Sequence, residues 1–425
     1  MMKRITGKRI LTAAIALVLL LAVCLPTLCS CAQVSVGGIG GSATTLYVYN
    51  WGEYISDGSE GTLNVNDMFE DWYYETYGER VVVNYSTYSS NESMYAKISS
   101  GSSNYDVIVP SDYMIERMIS EEGGSLLAPL NYDNIPNARN ILSEFQNADY
   151  DPDNNKDGYN DYSVPYLYGM IGIIYNTTMV AEEDIGSWDL MWNEKYAGNI
   201  LQFNNSRDAF GTAQYYLGKD VNSNSEADWR AALEKLKEQK PILQGYVMDE
   251  IYNKMENGSA AIAAYYAGDF MAMYENNEDL EFFYPEEGTN LYVDAMCIPA
   301  SSQNKEIAER YINFMLMAEP AIANAEYTYY ASPNRLVRED TDYVDYMNEI
   351  KEDGYEKMYA TDSVPTSSYR NLTGDKLVLI NGLWEELKSD ISVSAGIYII
   401  CGTIVLTLAG FGIFFALRRR KRNIY

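Results

Sequence analysis

Leu46-Tyr47-Val48-Tyr49-Asn50-Trp51 reads as a β-strand, and Gly52-Glu53-Tyr54 follows it at once. That junction decides the fold class. Open α/β sheets collect ligand-binding groups just beyond the carboxyl ends of their strands. A tryptophan, a glutamate and a tyrosine gathered at such an end form a set that grips a cation: a ring face to cover it and a carboxylate to neutralise it.

The chain around this strand continues the alternation. Arg80 to Tyr85 and Tyr105 to Pro110 read as further strands, the second stopped by its proline, while Met68–Tyr77 and Ser93–Ser99 suit helices. A second series begins near Tyr162-Ser163-Val164-Pro165-Tyr166 and includes Ile171–Tyr175, Ala260–Tyr266 and Leu291–Pro299 as strands. Ser225-Glu226-Ala227-Asp228 reads as a capping box opening a helix through Trp229, Leu233 and Leu236. Asn304–Met317 reads as an amphipathic helix ended at Pro320. No internal repeat is present. Strand–helix alternation predicts an α/β fold with a covered, mainly parallel sheet, divided into two lobes rather than built as one giant sheet.

The two ends of the chain are different in kind. Lys3, Arg4, Lys8 and Arg9 precede an uncharged run from Ile10 to Leu25, the layout of a secretory signal. It leads into Leu28-Cys29-Ser30-Cys31, which resembles a bacterial lipobox with Cys31 as the lipidated residue. An uncleaved anchor, or a signal cut elsewhere, remains open. Ile391 to Leu417 contains no charged residue, and Arg418-Arg419-Arg420-Lys421-Arg422 follows it. As a helix this run is about 40 Å long, more than the roughly 30 Å of a hydrocarbon core. The basic cluster places residues 418–425 in the cytoplasm and the middle of the chain outside. The expected organisation is therefore signal 1–31, flexible tether 32–44, lobe 1 at 45–163 with part of 297–335, lobe 2 at 164–296 with part of 336–390, a transmembrane helix 391–417 and a tail 418–425.

Composition excludes several activities. The 425 residues include no histidine, so neither a Ser-His-Asp nor a Cys-His nucleophile is available. The formal net charge is -29, and nine of the 31 bases sit in the two ends, leaving the middle more acidic still. Nucleic-acid binding demands the opposite sign. Of the five cysteines only Cys297 lies in the middle segment, so no disulfide is available within it.

Longer motifs then carry a resemblance. Tyr49-Asn50-Trp51-Gly52-Glu53-Tyr54, Tyr85 to Glu92 continuing into Met94-Tyr95-Ala96-Lys97, Val109-Pro110-Ser111, Tyr162 to Tyr166 and Tyr284 to Pro299 are similar to the bacterial spermidine/putrescine-binding proteins of ABC uptake systems, over Leu46 to Lys388. The resemblance implies a two-lobed, hinged periplasmic-binding-protein fold of type II, with ligand in the cleft between the lobes. It also implies a polyamine ligand, a separate permease with its ATPase, no cofactor and no catalysis. Carried over by position, the implied ligand-binding residues are Trp51, Glu53, Tyr54, Ser111, Tyr113, Asn205, Asp208, Tyr266, Tyr292, Asp294, Tyr330 and Arg370. Asp112 is implied to face elsewhere, and Asp269 to stand behind the site. Asn205 occupies a position where the family has aspartate, Tyr266 and Tyr292 replace tryptophans, and Arg370 replaces a glutamine. One acid fewer and one base more favour a shorter diamine or another cationic solute.

Two further classes are weighed. A sensor ectodomain for a cationic or small polar solute would need a partner, because the cytoplasmic tail is too short to signal. An extracellular hydrolase could use a carboxylate pair such as Glu53 and Asp294, but the residue set suits cation capture better. Asp153-Asn154-Asn155-Lys156-Asp157-Gly158 with Asp161 matches most of a calcium loop. Its twelfth position is Val164 where the bidentate glutamate belongs, so the expectation is an Asp/Asn/Gly surface loop and no metal site.

Overall fold

The computed structural model describes residues 43–389, apart from positions 102, 122, 123 and 373. The signal segment with Cys31, the expected span 391–417 and the basic tail lie outside the described residues, as does nearly all of the expected tether. Among the described residues no helix is long and apolar enough to cross a membrane.

Ten strands form the frame: β1 (Thr44–Trp51), β2 (Val81–Tyr88), β3 (Val107–Ile108), β4 (Ser163–Asn176), β5 (Ile200–Phe203), β6 (Leu243–Val247), β7 (Ile262–Tyr266), β8 (Leu280–Phe283), β9 (Thr289–Cys297) and β10 (Thr366–Ser367). Their order is β2-β1-β3-β9-β4-β7-β5-β6, with β8 beside β4 and β10 beside β9. β1 lies parallel to β2 and β3, and β5 lies parallel to β6 and β7. Two long antiparallel strands join these groups. β4 pairs β9 along Ser163–Met170, then pairs β7 and β8 along Ile171–Asn176. β9 reaches β3 where Cys297 meets Ile108. The lobe limits expected at 163/164 and 296/297 thus fall on the crossing strands β4 and β9.

Helices cover both groups for ordinary reasons of periodicity. Helix Val65–Tyr77 buries Val65, Phe69 and Tyr73 at four-residue spacing, starts at an Asn64 cap and stops where Gly78 takes φ +71°. In the second group, Phe210, Trp229, Leu233 and Leu236 pack against Ile380, Leu383 and Leu387 of the helix Gly374–Ser389. That contact ties the last described helix to the β5–β7 side.

Several sequence expectations need correction. β1 begins at Thr44, inside the expected tether. Ser163–Tyr166 and Ile171–Tyr175 are not separate strands but parts of one, because Leu167–Met170 continues the pairing with β9. Only Val107–Ile108 of the 105–110 segment forms a strand. Ser225 caps its helix without a side-chain bond; Asp228 instead accepts from Ser223 at 2.6 Å and pairs with Lys219 at 3.0 Å. Pro320 does not end a helix. The helix Lys305–Met315 stops earlier, and Pro320 sits in the first turn of the next, Ala318–Thr328, where no N–H is required.

Candidate functional site

The parallel strands of the two groups end on a common cleft of roughly 830 Å³, part of it open to solvent. Trp51–Tyr54 follows β1, Ser89 and Asn91 follow β2, and Ser111 and Tyr113 follow β3. From the other group, Asn205 and Asp208 follow β5, Met248–Tyr252 follows β6, and Tyr266–Asp269 ends β7. The crossing strand β9 supplies Asn290, Tyr292 and Asp294, alternate residues that share one face of the strand. The segments after β5 and β7 run straight into helices, and Asp208 and Asp269 sit in their first turns, where carboxylates are favoured; Glu53 and Asp294 do not.

Three of these acids are held alike. Asp294 accepts from the Tyr54 hydroxyl at 2.8 Å and from Ser111 Oγ at 2.5 Å. Asp208 accepts from Tyr266 at 2.7 Å and from Asn205 Nδ2 at 2.5 Å. Asp269 accepts from Tyr252 at 2.6 Å and from Tyr330 at 2.9 Å. All these donors are neutral. Burial pushes each of the three carboxyls up to about 6, and the donated hydrogen bonds limit the rise. Each is therefore an anion at neutral pH, sheathed by hydroxyls and an amide; among the described residues no lysine or arginine lines the cleft, and the one nearby guanidinium, Arg207, acts on Asp208 from behind the Tyr369 ring.

The remaining cleft groups build the walls. Glu53 sits at φ +49°, a conformation that costs a non-glycine residue, and accepts from Tyr327 at 3.2 Å. Trp51 donates its indole N–H to the Val109 carbonyl at 2.9 Å and packs on Tyr88 with ring centroids 4.7 Å apart. Tyr54 and Tyr330 meet edge to face at 4.9 Å, and Tyr266 and Tyr292 at 5.4 Å. Gly268 makes room for this arrangement: a Cβ there would lie 2.3 Å from the Tyr330 ring.

Of the residues expected from sequence, Trp51, Glu53, Tyr54, Ser111, Tyr113, Asn205, Asp208, Tyr266, Tyr292, Asp294 and Tyr330 converge on this cleft. Arg370 does not line it. Its guanidinium turns to Glu116, at 2.8 and 3.0 Å, and the neighbouring Tyr369 lines the cleft instead. Paired in this way, Arg370 does not add a free base to the cleft, and that part of the argument for a shorter diamine falls away. Asp269 belongs in the wall itself rather than behind it. Asp112 is buried outside the wall, its carboxylate accepting the Tyr113 amide at 2.7 Å, and burial pushes it up to about 8. Asn205 is the helix cap: its Oδ1 accepts from the Arg207 and Asp208 amides. An aspartate there could not also donate to Asp208. Sequence reading missed Asn91, Asp249, Tyr252, Asn290 and Tyr369. Applying the strand-end rule to the expected strand Ala260–Tyr266 as it was applied to β1 would have put Asp269 in the wall.

In the loop at 153–161, Asp153 accepts the amides of Lys156, Asp157 and Gly158, and Asp161 those of Asn154 and Asn155. The carboxylates are used up in shaping the loop.

Comparison with known proteins places this architecture. Residues 67–353 match the family described as bacterial extracellular solute-binding protein. The chain is 32% identical to the spermidine/putrescine-binding periplasmic protein of Salmonella typhimurium over 295 residues, 69% of this chain and 79% of that protein. It is 28% identical to a putrescine-binding periplasmic protein of Escherichia coli over 321 residues, 71% of this chain and 81% of the relative. Among solved structures, a putative spermidine/putrescine ABC transporter protein from Listeria monocytogenes superposes with a TM-score of 0.69 at 32% identity, covering 82% of this chain and 99% of that one.

Proposed function

This chain belongs to the bacterial extracellular solute-binding protein family, and we propose that it is the polyamine-binding component of an ABC uptake system. Its task is then capture outside the membrane and delivery to a separate permease and ATPase, with no bond made or broken. The observation that carries the ligand assignment is the set Asp208, Asp269 and Asp294. Three buried carboxylates with only neutral donors line one cleft between tyrosine rings. A di- or triamine supplies separated ammonium groups for the acids and methylenes for the rings.

Closure follows from the topology. Residues 45–163 and 164–296 form the bulk of two lobes, completed by parts of 297–335 and 336–390, and β4 and β9 are the strands about which they hinge. Bringing the β1–β3 ends toward the β5–β7 ends excludes water from the bound amine and strengthens every charge interaction on it. The retention device is read from the sequence ends: a lipid on Cys31 and a membrane helix over 391–417 keep the binding lobes at a Gram-positive-type cell surface, with residues 418–425 inside. Mass spectrometry of small molecules released by denaturing the purified protein tests the assignment. An unmodified di- or triamine is the expected cargo; a neutral sugar or an acidic metabolite in its place would refute it.

A further inference from the structure

We propose that Asn290 is a ligand-contacting, specificity-determining residue, whose side-chain amide accepts an N–H of the bound amine beside the Asp208 end of the cleft. The inference rests on the polyamine reading of the cleft and adds a contact to it. Asn290 stands on β9 two and four residues before Tyr292 and Asp294, so all three share the face that lines the cleft. It is 2% exposed, and its Oδ1 has no hydrogen-bond partner among the described residues. A buried amide oxygen without a donor is destabilising in the empty protein and is rarely tolerated without use.

Its position fixes which end it serves. Strand register sets Asn290 against Ser367 of β10, two residues before Tyr369. Tyr292, two residues along the same face, packs on Tyr266, whose hydroxyl holds Asp208. Arg370 is committed to Glu116, while the buried Arg207, 4.4 Å from the Tyr369 ring, acts on Asp208 and offsets part of its charge. The ligand nitrogen that meets Asp208 therefore meets a charged acceptor and a neutral one together. A neutral acceptor orients the N–H without adding a fourth buried charge to Asp208, Asp269 and Asp294.

Asn290→Leu, nearly equal in size, provides the test in the full-length protein, by thermal melts of the ligand-free form and calorimetric titration with putrescine, cadaverine and spermidine. The expected result is opposite signs: a higher melting temperature without ligand, and at least about tenfold weaker binding of the best wild-type amine. A purely structural asparagine would lose stability and leave the affinity of the folded protein alone. Wild-type binding with unchanged affinity in Asn290→Leu overturns the Asn290 role while leaving the polyamine reading intact. If the folded wild type binds none of the three amines, the reading itself falls and this contact with it.

Discussion

Two acidic regions of this molecule use the same side chains for opposite ends. At Glu281, on β8, the carboxylate pairs with Lys351 and, at 3.1 Å, with Lys357. Burial alone would raise its pKa, but the two ammonium groups outweigh burial and hold it below the usual glutamate value. In the cleft, Asp208, Asp269 and Asp294 are buried with tyrosine, serine and asparagine donors, and their pKa values move up to about 6. Glu281 is a finished ion pair. The cleft is half of one, and the difference teaches where the missing cation goes. The loop at 153–161 is a third variant, its carboxylates satisfied by its own amides.

The contrast can be broken at several points. The largest effect of a single substitution is expected from Asp294→Asn, which keeps the shape and removes the charge: amine affinity falls ten- to a hundredfold in titration calorimetry, about 1.5–3 kcal/mol for a charge-assisted hydrogen bond. An unchanged affinity would mean that the acid is not a ligand group.

Next comes pH. Because the cleft carboxyls sit near 6 when folded and near the ordinary 3.8 when unfolded, the folded protein holds their protons more tightly. Their contribution to ligand-free stability is present below about pH 4 and is lost as pH rises through 6. Amine binding needs the anions and moves the other way, weakening by about tenfold per carboxylate between pH 7 and pH 5. Melting curves and titrations across that window should therefore diverge. Glu281 has the reverse sign: its contribution persists above the usual glutamate value and disappears as pH falls through its lowered pKa.

A smaller effect is expected from Glu281→Gln. It strands Lys351, only 9% exposed, and costs about 1–2 kcal/mol of stability by denaturant unfolding while leaving amine affinity unchanged. The smallest is Asp153→Asn, with about 1 kcal/mol lost from the loop's amide bonds and no change in ligand binding. A loss of binding in either variant would erase the distinction between saturated and open acids.

The β1 end of the cleft was legible because its motif is compact: Trp51, Glu53 and Tyr54 fall within four successive positions at the end of an evident strand. The β5–β7 end was legible only in part. Ile200–Phe203 and Leu243–Val247 are short, carry no alternation long enough to announce a strand, and so left Asp249 and Tyr252 without a visible address. Asp269 was visible beside Tyr266, but its place in the wall depends on Gly268 admitting the Tyr330 ring, a contact between residues far apart in the chain. Arg370 was placed by position, and its pairing with Glu116 across 254 residues of sequence cannot be read from either neighbourhood. Local pattern fixes strand ends; which side chains turn inward there is decided by long-range partners.

The most direct measurement is calorimetric titration of the purified full-length chain with putrescine, cadaverine and spermidine at neutral pH and again near pH 5. The account predicts saturable one-to-one binding of at least one amine at neutral pH, and a marked loss of affinity in acid. A folded chain that takes up none of the three at neutral pH, or one that binds equally well in acid, would contradict it.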